Sequence, residues 1–216
     1  MIIDAPTSLG SGRLTVSPAT DQRAVLWLGH GAGGGIGALD LVALATALPA
    51  VGISVARYEQ PWRVAGKKVA SRPAALDIAW RETAPLVAGL AEGLPIVAGG
   101  RSAGARVACR TATELEVAGV VCLAFPLHPP GKPDVSRLDE LLQPTVPVLV
   151  LQGDRDTFGT AAVVASDTAG HDNIRVMEVA GADHGLKVLK ASALTASDVA
   201  ALVTASVACF LDDLLG

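Results

Sequence analysis

A serine, an acid and a histidine, the three side chains that together can break an acyl bond, each follow an apolar run in this chain. Ser102 sits in Gly100-Arg101-Ser102-Ala103-Gly104, where Ile96-Val97-Ala98 turns into a stretch with Ala105, Ala108, Cys109, Ala112 and Leu115 at helical spacing. A serine on such a strand-to-helix turn projects its hydroxyl above the sheet, and the flanking glycines keep side chains out of the neighbouring strand and helix. The pentapeptide alone arises easily by chance in a chain with 23 Gly, so its context must carry the reading. A hydrolytic triad then requires an acid and a histidine, in that order, on loops after later strands. Val148 to Leu151 runs into Gln152-Gly153-Asp154-Arg155-Asp156, and Ile174 to Val179 opens into Ala180-Gly181-Ala182-Asp183-His184-Gly185. Ser102, Asp156 and His184 are therefore the predicted nucleophile, acid and base, with Asp154 competing for the acid position because it follows the same strand.

Acyl transfer also needs donors for an oxyanion, and backbone N–H groups in a glycine-rich loop after the first long strand can supply them. Ala24 to Leu28 ends in Gly29-His30-Gly31-Ala32-Gly33-Gly34-Gly35, which nominates the amides of Ala32 and Ala103. A dinucleotide or phosphate cradle is the competing reading of this loop. Against it stand Gly31-x-Gly33-x-x-Ile36, which lacks the last glycine, and the missing Lys-Ser/Thr pair. His30 is expected to orient the loop and His171 to be a solvated loop residue. His128, in Leu127-His128-Pro129-Pro130, either contacts substrate or anchors its proline loop. Arg101, with Arg63, Lys67, Lys68 and Arg72, is either ordinary charged surface or recruits a carboxylate- or phosphate-bearing substrate. Trp62 either walls the mouth of the pocket or packs beneath its own loop.

The elements that must position these residues alternate β and α, the pattern of a mostly parallel sheet covered on both faces. About seven strands are predicted: 14–17, 24–28, 53–58, 96–99, 119–125, 146–151 and 174–179. Helices are predicted at about 38–48, 73–90 with a kink at Pro85, 105–115, 161–168 and 196–214, the last started by Thr195 with Asp198 three residues on. Residues 1–216 are read as one domain. The segment between Phe125 and Val146 is too short to fold a cap with its own core, so the cleft should be open.

Taken together, His30-Gly31-Ala32-Gly33-Gly34, Gly100 to Ala105, Phe125-Pro126-Leu127-His128-Pro129-Pro130-Gly131-Lys132-Pro133, Leu151-Gln152-Gly153-x-x-Asp156 and Gly181-x-Asp183-His184 resemble the small α/β-hydrolase family. Within it they are most similar to the short, dienelactone-hydrolase-like branch of predicted hydrolases, which includes a eukaryotic subunit of a chromatin-associated acetyltransferase complex. The resemblance spans nearly the whole chain. It implies an α/β-hydrolase fold with Ser102, Asp156 and His184 in the nucleophile, acid and base positions, the Asp156 assignment matching the family's Gly-x-x-Asp spacing.

Composition narrows the function classes. With 18% charged residues and a formal net charge of −4, no global basic field exists to hold nucleic acid. Cys109, Cys122 and Cys209 are odd in number and widely spaced, which argues against a disulfide framework or a zinc site and suggests a reducing cytoplasm. No signal peptide and no membrane span are expected. The reading is a serine hydrolase acting on a small-molecule ester or thioester, with no metal and no cofactor. The alternative is a non-catalytic interaction module on the same fold, and oligomeric state stays open.

Overall fold

A computed structural model describes residues 1–129, 131–132 and 134–216. Pro130 and Pro133 of the proline-rich segment lie outside the described residues. The strands are β1 (Ile2–Thr7), β2 (Gly10–Ser17), β3 (Ala24–Gly29), β4 (Ile53–Glu59), β5 (Ile96–Arg101), β6 (Gly119–Leu123), β7 (Val148–Gly153) and β8 (Ile174–Val179). They form one sheet in the order β1-β2-β4-β3-β5-β6-β7-β8. The two pairings that β2 makes are antiparallel, and the run from β4 through β8 is parallel.

Alternation along the central strands sends side chains into two cores. Val25, Trp27, Ala98, Val120, Cys122, Val148 and Val150 face one, shared with α3 (Pro73–Ala91), α4 (Ala103–Thr111) and α6 (Ala161–Asp167) through Trp80, Val87, Ala105, Ala108 and Val164. Leu26, Leu28, Val97, Val121, Leu123, Leu149 and Leu151 face the other, covered by α1 (Leu39–Ala47) and α7 (Ala196–Leu215) through Leu41, Leu44, Val199, Val203 and Phe210. Burial on both faces explains why these strands read as continuous apolar runs. Thr195 caps α7 in a reciprocal capping box with Asp198.

The strand count is eight rather than seven, because β1, the outer strand of the N-terminal hairpin, escapes a search for apolar runs, while β2 begins at Gly10, ahead of the predicted 14–17. β1 is an edge strand that buries little beyond Ala5, and it tolerates Pro6 because an edge leaves N–H groups unpaired anyway. Two short helices, α2 (Pro61–Val64) and α5 (Leu138–Leu141), were also not foreseen, each being too short to show a period. β6 stops at Leu123, before Phe125, where Ala124 adopts φ 52. α4 begins at Ala103, two residues earlier than its apolar period, and α3 continues through Pro85. The β6–β7 connection carries only the four-residue α5 among the described residues. No described helix is long and apolar enough to cross a membrane.

The junction that matters most for the site is where α4 crosses β3. A Cβ on Gly104 would lie 2.9 Å from the Gly29 Cα and closer still to the Gly29 carbonyl, so main chain packs on main chain. Gly29 is confined in turn by Trp80, whose ring lies 3.1 Å from where its Cβ would be, and Trp80 stacks on Trp27 with centroids 3.6 Å apart. Gly104→Ala is expected to cost about 3 kcal/mol, since backbone atoms cannot swing aside as a side chain can. A lower urea midpoint at unchanged m would show it; a midpoint equal to wild type would mean the junction has slack.

Candidate active site

The carboxyl ends of four parallel strands converge on one place: β3 leads to the glycine loop, β5 to Ser102, β7 to Asp156 and β8 to His184. This is where an open α/β sheet offers a crevice, beside the strand at which the connections change direction. Ser102 itself adopts φ 51 and ψ −108, a conformation that costs a non-glycine residue roughly 1–3 kcal/mol. It is held there by its own N–H, which donates to the Leu123 carbonyl of β6 at 3.0 Å, and by its carbonyl, which accepts from the Arg106 amide at 3.2 Å.

The three predicted residues form a continuous hydrogen-bonded chain. The Ser102 hydroxyl donates to His184 Nε2 across 2.9 Å, and His184 Nδ1 donates to Asp156 Oδ2 across 2.8 Å, the tautomer these partners require. The Asp156 side chain is fully buried. Its Oδ2 also accepts from Gln152 Nε2 at 2.9 Å and its Oδ1 from the Phe158 amide at 2.8 Å, so both carboxylate oxygens are fixed. The ring of Phe158 stacks on His184, with centroids 4.0 Å apart and 24° between planes. One loop thus orients the imidazole from its edge and from its face.

Asp154, the competitor for the acid position, is turned away: its Oδ1 accepts from the Gly181 amide at 2.7 Å. With Arg155, which donates from Nη1 to the Gly181 carbonyl at 3.0 Å, it laces the acid loop to the histidine loop. The histidine loop is further shaped by Asp183, whose Oδ1 accepts from the amides of Gly185 and Lys187 at 2.7 and 3.0 Å.

Ala103 opens α4, where an amide has no intrahelical acceptor, and the Ala32 amide makes no backbone hydrogen bond among the described residues. Both residues line the same cavity of about 710 Å³ as Ser102 and His184. Behind the glycine loop, His30 Nδ1 donates to the Gly31 carbonyl at 2.8 Å while Nε2 accepts from the Gln60 amide at 3.2 Å. Burial lowers the pKa of His30, which keeps it neutral in this donor-and-acceptor role.

The residues expected to touch substrate are distributed otherwise. Trp62 is buried under α2, tilted against His30 with centroids 5.5 Å apart, and does not line the cavity over Ser102; apolar packing after β4 claims the indole. His128 also stays outside the cavity, donating from Nδ1 to the Val135 carbonyl at 3.3 Å, and so anchors its loop. Arg101 does line the cavity but is engaged: Nη1 donates to Asp40 Oδ2 at 2.9 Å and Nη2 to the His184 carbonyl at 3.2 Å. It ties α1 to the loop that carries the histidine. Gln152, Phe158 and Asp40 were missed, because an amide, a lone aromatic and a helical aspartate carry no spacing signal of their own.

The Arg101–Asp40 pair is nearly dry, with side chains 12% and 5% exposed. Burial raises the Asp40 carboxyl above its ordinary 3.8, and the Arg101 charge opposes the rise. A carboxyl with a raised folded pKa holds its proton more tightly folded than unfolded, so its contribution to stability is present at low pH and lost as pH climbs from 3.8 to the folded value. Arg101→Met removes the opposing charge and widens that window. The expected loss is about 3 kcal/mol near neutral pH, shrinking toward about pH 4 as the fraction of Asp40 that is protonated grows. Urea unfolding at both pH values checks it, and an equal loss at both would refute the assignment.

A family described as an alpha/beta hydrolase domain matches residues 22–212. No curated protein matches the chain significantly in sequence. Among solved structures, an alpha-beta serine hydrolase homologue from Coxiella burnetii is similar at TM-score 0.77 and 16% identity, covering 95% of this chain and 96% of that one. An a/b serine hydrolase without lid from Xanthomonas campestris is similar at TM-score 0.74 and 21% identity, covering 97% and 94%. Est1E from Butyrivibrio proteoclasticus, solved with ferulic acid bound, is similar at TM-score 0.78 and 15% identity, covering 99% of each chain. With these strands in this order and a family match over nearly its whole length, the chain belongs to the alpha/beta hydrolase family.

Proposed function

We propose that the protein is a serine hydrolase that cleaves a carboxylic ester or thioester through an acyl-enzyme. The observation that carries this reading is the unbroken chain from Ser102 Oγ through His184 to the buried Asp156 carboxylate, opening onto a cavity. In the first half-reaction, Ser102 Oγ attacks the substrate carbonyl carbon as His184 Nε2 takes its proton. The Ala103 and Ala32 amides receive the oxyanion of the tetrahedral intermediate. Collapse breaks the bond to the leaving alkoxide or thiolate, which His184 protonates. Water, deprotonated by the same nitrogen, then attacks the acyl carbon and releases the acid and the free serine. Asp156 and the Phe158 ring hold the imidazole in orientation throughout.

The Leu-His-Pro-Pro-Gly-Lys-Pro segment supports placement in the short, dienelactone-hydrolase-like branch, with the chromatin-complex subunit as a relative. A small-molecule acyl substrate and a cytoplasmic setting, suited to three free thiols, belong to the same reading.

Wild type is expected to label with a fluorophosphonate probe, and Ser102→Ala and His184→Ala to lose labelling while keeping their far-UV circular dichroism. A well-folded wild type that does not label would instead favour the non-catalytic interaction module. Asp156→Asn reverses the hydrogen bond that fixes the tautomer, and should lower kcat on 4-nitrophenyl acetate by roughly 10⁴-fold; a loss under about tenfold would show that the acid is not needed to orient His184.

A further inference from the structure

The wall of the cavity above Ser102 has a charge opposite in sign to that of the chain. Arg101, Arg106, Arg137 and Lys187 all line it, and among the described residues no aspartate or glutamate does, although the protein as a whole carries −4. Two of these cations are already spoken for. Arg101 is paired with Asp40. Arg106 binds Glu140 through Nε and Nη2 at 2.7 and 2.5 Å, and Glu140 is shared with Arg110, which holds Asp77 as well.

Two carboxylates, Asp77 and Glu140, therefore serve the guanidiniums of Arg106 and Arg110, and no carboxylate among the described residues lies within ion-pair distance of Arg137. Arg137 spends Nη1 on the carbonyls of Pro126 and His128, at 3.2 and 3.4 Å, which aims the side chain without neutralising it. Partial burial and the nearby Arg106 charge lower its pKa, and the Glu140 charge opposes them. Lys187, on the histidine loop, is exposed and likewise has no ion pair among the described residues.

We propose that Arg137 and Lys187 form an anion subsite, so that the preferred substrate is an ester or thioester carrying its own carboxylate or phosphate group. This rests on the serine-hydrolase reading for the chemistry, but the binding itself does not. A planar guanidinium, with Nε and Nη2 left by the carbonyls that hold Nη1, and an exposed ammonium lining the same cavity suit either anion, the first by two parallel hydrogen bonds and the second as a point charge. The low-dielectric floor of the cavity concentrates that field.

The test is calorimetric titration of the full-length Ser102→Ala protein with monomethyl succinate, methyl phosphonoacetate and the neutral dimethyl succinate. At least one anion is expected to bind about tenfold more tightly than the neutral diester, and comparing the two says whether carboxylate or phosphate geometry fits. The preference should shrink as sodium chloride is raised, and again when Arg137→Gln or Lys187→Gln is added. Lys187→Gln is the safeguard, because Arg137 also holds two loop carbonyls. Equal binding of anionic and neutral esters, or a preference that survives both substitutions, would overturn the subsite. Fluorophosphonate labelling of the wild type, run alongside, separates the two ideas: failure to label strikes the serine chemistry, whereas the titration alone decides the anion site.

Discussion

Where α4 lies across β3, main chain touches main chain. Gly29 on the strand and Gly104 on the helix have no side chains to separate them, and Gly100, at φ 155, brings the end of β5 into the same contact. The close approach sets the angle at which the chain leaves β5, and that angle forces Ser102 into its positive φ. The strain is offset by ordinary interactions around it: one ladder bond to Leu123, the first turn of α4, and the burial of Ala105 and Ala108 below. A hydroxyl displayed in this way has few rotamers to lose before it reaches His184. The placement of Ser102 thus follows from this packing together with the two backbone hydrogen bonds the residue makes.

Polar order in the rest of the site comes from loops fastened to one another. The loop after β7 grips the loop after β8 through Asp154 and Arg155, and Arg101, next to Ser102, grips it through the His184 carbonyl. On the other flank, Arg106 and Arg110 hold the short α5 through Glu140 and join it to α3 through Asp77. Buried ion pairs of this kind add little net stability compared with apolar packing, but each demands its partner in one place. They position the loops that the hydrophobic cores leave unconstrained.

Much of this was legible in the residues. Continuous apolar runs marked the central strands because both faces are buried, and the elbow, the acid loop and the histidine loop all followed such runs. His184 could be selected because the order of the three groups along the chain is constrained, whereas Asp156 was preferred to Asp154 on the Gly-x-x-Asp spacing that the resemblance implies. The outer strand of the N-terminal hairpin was not legible, since an edge strand needs little hydrophobicity, and α2 and α5, at four residues each, are too short to show a repeat. The sequence left two roles open for each of Trp62 and His128, because their types suit a pocket wall and a packed loop alike; the structure buries Trp62 and bonds His128 to its own loop. Conversely Arg106 reads as an ordinary helical arginine, and only the placement of α5 beside α4 gives it a pairing and a face on the cavity.

The β6–β7 connection, whose only regular element among the described residues is one turn of helix, bears on what the proposed chemistry would do with an acyl group on Ser102. Enzymes that pass such a group to an alcohol or amine must keep solvent away until the acceptor arrives. Among the described residues that connection holds no layer with a core of its own with which to exclude water. On the proposed reading, release of the acyl group to water is then the fate that this architecture favours.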